Sequence, residues 1–487
     1  MFFDSIQAWW NSGLLGGVLV VYWIGIILLI VSQNREPSLT LAWILVLVAL
    51  PGVGLLIYFF GGRDWKKIQA KSKWLAELRK IRTPYMDAFY DRYGQYSERT
   101  YEQSRGTHVG HVVAAIEKQN LASPLPANDV AIYPSGEEYF PVLVEDIYKA
   151  ERFVHMQYFI WERDELTTKI CDALMDRLKA GVEVRILNDF LGNIQYKKDQ
   201  LKALKQAGAH YGADVTQVGK LNYRNHRKIT VIDGNVGHTG GVNIGQEYID
   251  GGKKYPTWRD TGMRFTGPAV GDLQKLFADR WYEVYRESLF NPMYFPAADL
   301  PVREEPFMLQ VVAQGVEDYW SSSTRTHEIA IAGATRRAWI QSPYWVPDPG
   351  MMDTVVNAAL SGIDLKFMMT GWPDKKIAFR TAQSFWRPIL EAGGHVYLYM
   401  AGFFHAKTIV VDSKMGSVGT MNLDMRSLHL HKELMVWMYD EELARRQEEI
   451  FLADLEHCRE VTLEEVNSWS AYKRFLDSLS RLASNLL

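Results

Sequence analysis

The chain has 487 residues, of which 47% are hydrophobic and 13% aromatic, so it can form two or more folded domains and is not intrinsically disordered. Its 54 basic and 57 acidic residues give a net charge of −3, which provides no general indication of nucleic-acid binding. The only two cysteines, Cys171 and Cys458, exclude a disulfide framework and argue against a cysteine-built metal site.

The N-terminal region contains two long apolar runs. Residues 13–31 carry no charge over 19 positions, and residues 39–62 carry none over a further 24. Each run can cross a bilayer core of roughly 30 Å, so we predict a membrane anchor over 1–62 with transmembrane helices at about 13–33 and 39–61. A cleaved signal peptide fits less well, because the first ten residues lack Lys and Arg. A buried helical hairpin in a soluble core is the other alternative.

A basic segment follows the second apolar run. Residues 63–82 hold eight basic and two acidic residues, whereas the turn between the runs holds one of each. The positive-inside rule therefore places this segment and the domains after it in the cytoplasm. Its interspersed apolar residues fit either an amphipathic helix on an anionic membrane surface or a solvated helical linker. We assign residues 63–130 to a basic amphipathic linker and leave both roles open.

From about residue 131, strand-like and helix-like segments alternate, and the same order occurs twice. The first half has predicted strands at 153–161, 182–189 and 228–233, and predicted helices at 166–181 and 201–209. The second half has predicted strands at 338–346, 363–370 and 407–412, and predicted helices at 351–362 and 384–394. This alternation predicts two tandem α/β sandwich domains, each around a mixed or parallel sheet.

The boundary between the two halves is predicted in the Pro-rich, polar stretch 291–306. Domain 1 is therefore assigned to residues 131–298 and domain 2 to residues 299–487. The last segment, 472–487, has apolar residues at helical spacing with basic residues on the other face. It is either a packing helix or a second contact with the membrane surface.

A polar pattern occurs once in each half. Residues 226–243 read HRKITVIDGNVGHTGGVN, and residues 405–422 read HAKTIVVDSKMGSVGTMN. The residues shared at equal offsets are His226/His405, Lys228/Lys407, Asp233/Asp412, Gly240/Gly419 and Asn243/Asn422. Five fixed positions at about 5% frequency each occur by chance about once in three million starting points. Because the shared residues are mostly polar, the repeat favours a function over an architectural role.

The chemistry of this pattern suits a phosphate group. His and Lys stand two apart in each copy, so on a strand both side chains point to the same face. Ammonium and amide groups donate to phosphate oxygens, and imidazole acts as a nucleophile or a general acid and base. Two such sets facing each other would place one imidazole on each side of a phosphorus atom, as in-line displacement requires.

The pattern His-x-Lys-x4-Asp-x6-Gly-x2-Asn, present twice, resembles that of the phospholipase D superfamily. Together with the apolar N-terminus, the flanking sequence resembles the bacterial cardiolipin synthases. The further matching segments are GGVNIGQEY at 240–248, TWRDTGMRFTGPAV at 257–270, SPYWVPD at 342–348 and GTMNLDMRS at 419–427. The resemblance extends over essentially the whole chain and implies two phospholipase D-like domains that form a pseudo-twofold unit.

The resemblance also implies a role for each histidine. His226 would be the nucleophile that forms a phosphatidyl-histidine intermediate. His405 would be the general acid for the leaving glycerol and then the base for the incoming hydroxyl. The side chains implied to hold the phosphate oxygens are Lys228, Lys407, Asn243 and Asn422.

Four carboxylates belong to the implied site. Asp233 and Asp412 match the motif aspartates, which in this superfamily more often support the fold than touch substrate. Asp260 and Glu433 match the carboxylates that orient the catalytic histidines. We expect crosswise pairing, with Glu433 beside His226 and Asp260 beside His405.

One segment departs from the family pattern. The superfamily usually has Asn, an aromatic residue and Glu where this chain has His431, Lys432 and Glu433, so the departure affects the local packing while the Glu is retained. His429 and His431, two apart, have no carboxylate or cysteine partners at ligand spacing, which makes a metal site a weak interpretation. The family chemistry requires no metal and no cofactor.

The expected reaction is reversible phosphatidyl transfer between two phosphatidylglycerol molecules, giving cardiolipin and glycerol. A phospholipase D-type hydrolase or another headgroup-exchanging transferase would use the same residues. A superfamily nuclease is disfavoured by the composition and the anchor, and a non-enzymatic scaffold would be expected to have lost a His or Lys. The expected partners are phosphatidylglycerol and other membrane lipids, without nucleic acid, at a cell membrane with the catalytic domains in the cytoplasm.

Overall fold

The computed structural model describes residues 14–33, 37–50, 52–62, 72–120, 122–196, 198–214, 223–295, 300–315, 318–482 and 484. Among them, residues 14–62 belong to one compact unit, and residues 72–214 and 223–484 belong to a second.

The first unit consists of helices of 18, 13 and 5 residues. They are α1 at Leu14–Val31, α2 at Pro37–Ala49 and α3 at Val53–Ile57, followed by a π-helical turn at Tyr58–Gly62. The single helix predicted over 39–61 is therefore divided, because Gly52 has a φ of 83°, a left-handed conformation at which an α-helix ends. Among the described residues, no helix is both long and apolar enough to qualify as a membrane span.

The second unit contains the remaining helices and all the described strands. The helices are α4 Lys73–Arg92, α5 Gly94–Ser104, α6 His108–Asn120, α7 Gly136–Tyr148, α8 Glu165–Lys179, α9 Asp199–Gln206, α10 Glu247–Asp250, α11 Val270–Tyr285, α12 Ser322–Ala332, α13 Pro349–Leu360, α14 Lys376–Gln383, α15 Trp386–Glu391, α16 Met425–His429, α17 Glu441–Leu455, α18 Leu463–Ser468 and α19 Ala471–Arg481. The strands are β1 Leu125–Ala127, β2 Val130–Tyr133, β3 Phe153–Tyr158, β4 Glu183–Asp189, β5 His210–Asp214, β6 Ile229–Ile232, β7 Val236–Gly240, β8 Trp258–Arg259, β9 Gly262–Thr266, β10 Phe307–Gln314, β11 Arg337–Gln341, β12 Trp345–Val346, β13 Asp364–Thr370, β14 His395–Tyr399, β15 Phe403–Phe404, β16 Thr408–Val411, β17 Met415–Gly419, β18 Leu423–Asp424, β19 Glu433–Met438 and β20 Cys458–Val461.

The first half forms a seven-stranded sheet in the order β2-β9-β7-β6-β3-β4-β5. Strands β3, β4 and β5 are parallel, and β6, which follows the first motif histidine, runs antiparallel to β3. Every residue of β3 is buried, as expected for a strand with helices on both faces. Tyr139 of α7 and Leu174 of α8 pack in one core, and Phe277 of α11 packs in another with residues of β6.

The second half repeats this plan in a nine-stranded sheet with the order β1-β10-β19-β17-β16-β11-β13-β14-β20. Strands β11, β13 and β14 are parallel, and β16 is antiparallel to β11. The strand predicted over 338–346 is divided into β11 and β12. In each half the motif histidine precedes the central motif strand, β6 or β16. The two histidines therefore lie at equivalent edges of the two sheets.

The predicted linker 63–130 contributes directly to the second unit. Strand β1 pairs with β10 of the second sheet, with Leu125 opposite Leu309, while β2 pairs with β9 of the first sheet. Leu75 and Leu78 of α4 are only 5% and 1% exposed and belong to a core that spans both halves. Neither role predicted for the segment therefore applies to residues 73–82, because the apolar stripe packs against protein. The preceding residues 63–71 lie outside the described residues.

The C-terminal helix α19 packs on one side and is exposed on the other. Asp477 is buried, and the Ser480 carbonyl accepts a hydrogen bond from Thr381 Oγ1 of α14 at 3.0 Å. Four apolar side chains stand at helical spacing on the exposed side. They are Tyr472, Phe475, Leu479 and Leu482, with exposed fractions of 72%, 63%, 51% and 81%.

Candidate active site

Each motif histidine is held by a strand from the opposite half of the chain. The His226 N–H donates to the Lys432 carbonyl at 2.9 Å, and the Lys432 N–H donates to the Arg224 carbonyl at 2.8 Å. In the same way β15 pairs with β8, and the His405 N–H donates to the Arg259 carbonyl at 2.7 Å. The residue after Lys432 is Glu433, and the residue after Arg259 is Asp260. The backbone pairing therefore brings a carboxylate from each half to the histidine of the other.

His226 contacts Glu433, as the resemblance implied. Its Nδ1 lies 3.1 Å from each carboxylate oxygen of Glu433, which is fully buried and also accepts from Thr420 Oγ1 at 2.5 Å. Burial would raise the pKa of Glu433, but the hydrogen bonds of His226 and His431 outweigh burial and hold that pKa below its usual value, so the carboxylate is ionised. Nδ1–H donates to this carboxylate, which leaves the Nε2 lone pair of His226 free.

His405 has the matching arrangement with Asp260. Its Nδ1 lies 2.7 Å from Asp260 Oδ2, and Asp260 Oδ1 accepts from the Thr261 N–H at 2.8 Å. Burial lowers the pKa of His405 to about 4, with a further contribution from the Lys407 charge. Burial also lowers the pKa of His226 to about 3, against the raising effect of Glu433. Both imidazoles are therefore neutral in the free protein at neutral pH.

The two motif lysines are buried beneath the histidines. Lys228 Nζ donates to the His226 carbonyl at 2.7 Å, and Lys407 Nζ donates to the His405 carbonyl. Burial lowers the pKa of Lys228 to about 7 and that of Lys407 to about 8. The site thus holds two ammonium groups whose charge is sensitive to pH in the neutral range.

The motif asparagines and histidines line one cavity of about 470 Å³. Asn243 Oδ1 accepts from the Ile160 N–H at 3.2 Å, and its Nδ2 donates to the Tyr248 hydroxyl at 2.7 Å. Asn422 Oδ1 is buried without a hydrogen-bond partner among the described residues. The cavity therefore brings together His226, His405, Asn243 and Asn422 from the two halves.

The motif aspartates lie away from this cavity and fix the backbone. Asp233 accepts from three consecutive N–H groups, those of Glu151, Arg152 and Phe153, each at 2.8 Å. Asp412 accepts from the N–H groups of Thr335, Arg336 and Arg337 at 2.7, 2.8 and 2.9 Å. Both aspartates have a positive φ, 54° and 55°, at the turn after the motif strand. They anchor the turn to the start of the neighbouring strand, and neither lines the cavity.

Several cavity residues were not singled out in the sequence. Phe159 lies 4.9 Å from the His226 ring, and Trp258 and Phe403 lie 5.6 and 5.7 Å from the His405 ring. Arg224, which also lines the cavity, pairs with Asp189 at 2.6 Å. Aromatic residues are so frequent in this chain that these positions carried no distinguishing signal.

Glu247 and Arg426 also line the cavity and occupy matching positions. Each stands four residues after its motif asparagine, Asn243 or Asn422. Burial raises the pKa of Glu247 to about 7, with further contributions from Glu162 and Asp164. The first repeat thus has an acid where the second has a base, so the two repeats contribute chemically different groups to the cavity. Comparing the two repeats beyond the asparagines would have revealed this difference.

The segment that departs from the family pattern also reaches the cavity. His431 is a lining residue, with its ring centre 5.9 Å from that of His226. His429 is engaged elsewhere, with Nε2 2.8 Å from Asp348 Oδ2. No cluster of three His, Cys, Asp or Glu side chains suited to a metal ion occurs in the part of the chain that the structure describes.

Two family models match the chain. The model described as cardiolipin synthase, PLD-like domain, matches residues 143–253 and 328–455, one match in each half. The model described as phospholipase D-nuclease N-terminal matches residues 18–63.

Similar proteins cover nearly the whole chain. Cardiolipin synthase 1 of Bacillus anthracis is 33% identical over 98% of this chain and 94% of its own length. The cardiolipin synthase of Geobacillus kaustophilus is 34% identical over 99% of this chain and 96% of its own length. Among solved structures, phosphatidylserine synthase of Haemophilus influenzae superposes with a TM-score of 0.58 at 14% identity, over 77% of this chain and all of that one. That last likeness concerns the fold alone.

Proposed function

Because the chain belongs to the cardiolipin synthases of the phospholipase D superfamily, with a mixed α/β fold and two tandem phospholipase D-like domains, we propose how its site performs the reaction. It transfers a phosphatidyl group from one phosphatidylglycerol molecule to another and releases glycerol. The observation that carries this proposal is the pair of buried imidazoles on one cavity, each fixed by a carboxylate from the opposite half.

In the first step, His226 Nε2 attacks the phosphorus of bound phosphatidylglycerol. A P–N bond forms, the bond to the glycerol oxygen breaks, and His405 donates a proton to that oxygen. His405 is neutral in the free protein, so it must be protonated as substrate binds. The negative charge of the phosphodiester favours this, because an adjacent anion raises the pKa of an imidazole.

Lys228 and Lys407 stabilise the negative charge that spreads over the phosphate oxygens in the transition state. Their ammonium groups are fixed in advance beneath the histidines and excluded from water, so little reorganisation is needed as charge develops. The amide nitrogens of Asn243 and Asn422 complete the set of donors to these oxygens.

In the second step, a base must activate the hydroxyl group of an alcohol. His405, having lost its proton to glycerol, takes the proton of a glycerol hydroxyl on the second phosphatidylglycerol. That oxygen attacks phosphorus, the P–N bond to His226 breaks, and cardiolipin is formed. The aromatic walls made by Phe159, Trp258 and Phe403 limit water at the intermediate, which favours transfer to an alcohol over hydrolysis.

The protein is proposed to act at a cell membrane with its catalytic domains in the cytoplasm. The charge-free runs 13–31 and 39–62 support a two-helix anchor, and the basic residues after them support the orientation. An anchored site meets its lipid substrates at the membrane surface.

The test supplies the purified protein with phosphatidylglycerol labelled in the phosphate, as the sole lipid in detergent. We expect labelled cardiolipin together with glycerol, and rapid quenching with denaturant at alkaline pH, at which a P–N bond survives, should trap label on the peptide that contains His226. Label on the His405 peptide would reverse the two roles, and phosphatidic acid as the sole product would favour the hydrolase instead.

A matched pair of variants controls for folding. His226→Asn should abolish both products and trapped label. His395→Asn removes a half-exposed histidine whose Nδ1 lies 2.7 Å from Glu460, and it should leave turnover unchanged.

A further inference from the structure

Two carboxylates from opposite halves line the catalytic cavity on the side of His405. Glu247 belongs to α10 in the first half, and Asp374 lies in the loop after β13 in the second. The proposed reaction uses neither of them. A carboxylate accepts hydrogen bonds, so these two groups differ in kind from the lysine and asparagine donors around the phosphate.

Packing places Glu247 near His405. The ring of Tyr248, the next residue of α10, lies 4.7 Å from that of Trp258, and the Trp258 ring lies 5.6 Å from that of His405. Trp258 belongs to β8, which pairs with β15, the strand that ends one residue before His405. Burial raises the pKa of Glu247, and no hydrogen bond contributes to this shift. The carboxyl group therefore has acceptor capacity that no described residue uses.

Asp374 reaches the same side of the cavity from the other half. The Phe404 N–H donates to Thr370 Oγ1 at 3.4 Å, so the loop that carries Asp374 begins beside the residue that precedes His405. Asp374 Oδ2 accepts from the Tyr344 hydroxyl at 2.8 Å, whereas Oδ1 is buried without a hydrogen-bond partner among the described residues. A buried oxygen without a donor is costly in free energy, and a ligand hydroxyl would remove that cost.

Both carboxylates lie close to one cluster of aromatic rings. Burial raises the pKa of Tyr255, and the negative charges of Asp374 and Glu247 raise it further. The Tyr255 ring stacks at 4.8 Å on that of Phe403, which lies 5.7 Å from the His405 ring. Acceptors beside aromatic faces suit a small polyol, whose hydroxyl groups donate to the oxygens while its C–H groups pack on the rings.

A third acceptor in the cavity also lacks a donor. Asn422 is only 7% exposed, and its Oδ1 is buried without a hydrogen-bond partner in the described part of the chain. Its Nδ2 is the group proposed to bind the phosphate, so Oδ1 remains for a hydroxyl group of the same lipid. The cavity thus offers unused acceptors next to the phosphate donors.

A cationic headgroup fits this side of the cavity less well. The ammonium group of Lys254 lies 4.8 Å from the centre of the Tyr255 ring, and that of Lys375 lies 5.2 Å from the centre of the Tyr344 ring. Two cations of the protein therefore already occupy ring faces near the carboxylates, and they repel a further ammonium group. An uncharged group with hydroxyls meets no such repulsion.

We propose that Glu247 and Asp374 bind the free hydroxyl groups of the headgroup glycerol and so select phosphatidylglycerol as the substrate. This inference rests on the proposed function, in which the glycerol oxygen leaves toward His405 and the attacking hydroxyl of the second lipid later takes the same place. The headgroup of each lipid in turn therefore lies beside these carboxylates. Neither carboxylate makes or breaks a bond; each determines which headgroup is accepted.

The test lets two alcohols with the same carbon skeleton compete for the phosphatidyl intermediate. The full chain in detergent receives phosphatidylglycerol with equal concentrations of deuterated glycerol and 1-propanol, and mass spectrometry compares deuterated phosphatidylglycerol with phosphatidylpropanol. Both products arise from one intermediate, so their ratio does not depend on how much of the protein is folded. The unsubstituted protein should prefer glycerol by about tenfold or more, because a site built to hold hydroxyl groups rejects an analogue that lacks them.

Four variants locate the preference. Glu247→Ala and Asp374→Ala should each reduce it about tenfold, the effect of losing one hydrogen bond to a charged group. Glu247→Gln keeps an acceptor oxygen and should keep most of the preference. Asp353→Ala, at an exposed position on α13, is the matched control and should behave as the unsubstituted protein does.

Equal incorporation of glycerol and 1-propanol by the unsubstituted protein would overturn the proposal, and so would a preference for glycerol that survives in both alanine variants. Ethanolamine, added as a third alcohol, tests the cationic alternative. If the alanine variants lose incorporation of ethanolamine and not of glycerol, the carboxylates bind an ammonium group instead. Failure of the proposed function gives a different result, because neither alcohol product then forms.

Discussion

At the scale of single residues, the site is governed by burial. His226, His405, Lys228 and Lys407 all have a lowered pKa because the charged form of each is desolvated. The carboxylates of Glu433 and Asp260 oppose this effect without cancelling it. The site at neutral pH therefore holds two neutral imidazoles, of which His226 can attack directly, and ammonium groups close to their titration points.

The pH dependence of kcat/KM should reflect these lysines together with His405, which must take up a proton as substrate binds. This quantity reports on the free enzyme, in which the pKa of Lys228 is about 7 and that of Lys407 about 8. As pH rises through this range the ammonium charge is lost, so kcat/KM for phosphatidylglycerol should fall. It should not fall as pH drops from 7 to 5, because the pKa of His226 is about 3. A value that rises from pH 7 to 9 would contradict this assignment.

Some residues of the site were predictable from the sequence and others were not. The histidines, lysines and asparagines recur at fixed offsets in the two halves, so comparing one half of the sequence with the other identifies them. Phe159, Trp258 and Phe403 had no such signal, because aromatic side chains are frequent in this chain and only the fold brings these three to the cavity. His431 was noticed only as a departure from the family pattern.

At the scale of elements, the predicted strands and helices of both halves are close to those observed. Largely apolar segments mark β3, β4 and β13, and a glycine precedes β4 and flanks β13, since most residues of these strands are buried. Strand β1 could not be predicted, because its sequence is Leu-Pro-Ala and its one strand partner within the described part of the chain is β10. The role of α4 also needed the structure, since an amphipathic stripe looks the same whether it meets lipid or protein.

The C-terminal helix should make a membrane contact in addition to its packing contact. Its exposed stripe includes Phe475 and Leu479, and exposed Arg474 lies beside them, which suits an anionic lipid surface. Replacing Phe475 and Leu479 by Ser should weaken sedimentation with phosphatidylglycerol vesicles and raise KM for vesicle substrate. KM in detergent should not change.

The matched control for this helix is Leu360→Ser, which removes a side chain that is 66% exposed at the end of α13. It should have no effect on vesicle binding. Equal loss of binding in both variants would mean that general surface hydrophobicity, and not this helix, is responsible.

At the scale of the whole molecule, the two halves of the catalytic unit depend on each other. They are joined by the crosswise carboxylates, by the pairing of β8 with β15, and by a hydrophobic core to which α4 and both halves contribute. Arg259 of the first half forms two hydrogen bonds of 2.7 Å with Asp454 of the second, and both side chains are buried. We therefore expect one cooperative unfolding transition for the catalytic unit.

Arg259→Ala should destabilise both halves together. It leaves the Asp454 carboxylate buried without its partner, at a cost of about 3–5 kcal/mol. Hydrogen exchange should accelerate equally in β3 and in β11. Arg163→Ala is the control, since Arg163 pairs with Asp199 at the surface, where both side chains are about half exposed, and it should change little. Acceleration confined to one half would contradict a single cooperative unit.

The pairing of β1 with β10 also constrains the order of events during synthesis. Leu125 leaves the ribosome 184 positions before its partner Leu309. At about 5–20 residues per second the interval is roughly 10–40 s. The first sheet can close around β2 in that time, while the edge of the second sheet has yet to be made. A nascent chain halted shortly before residue 307 should therefore hold a closed first sheet and a β1 segment still open to a protease.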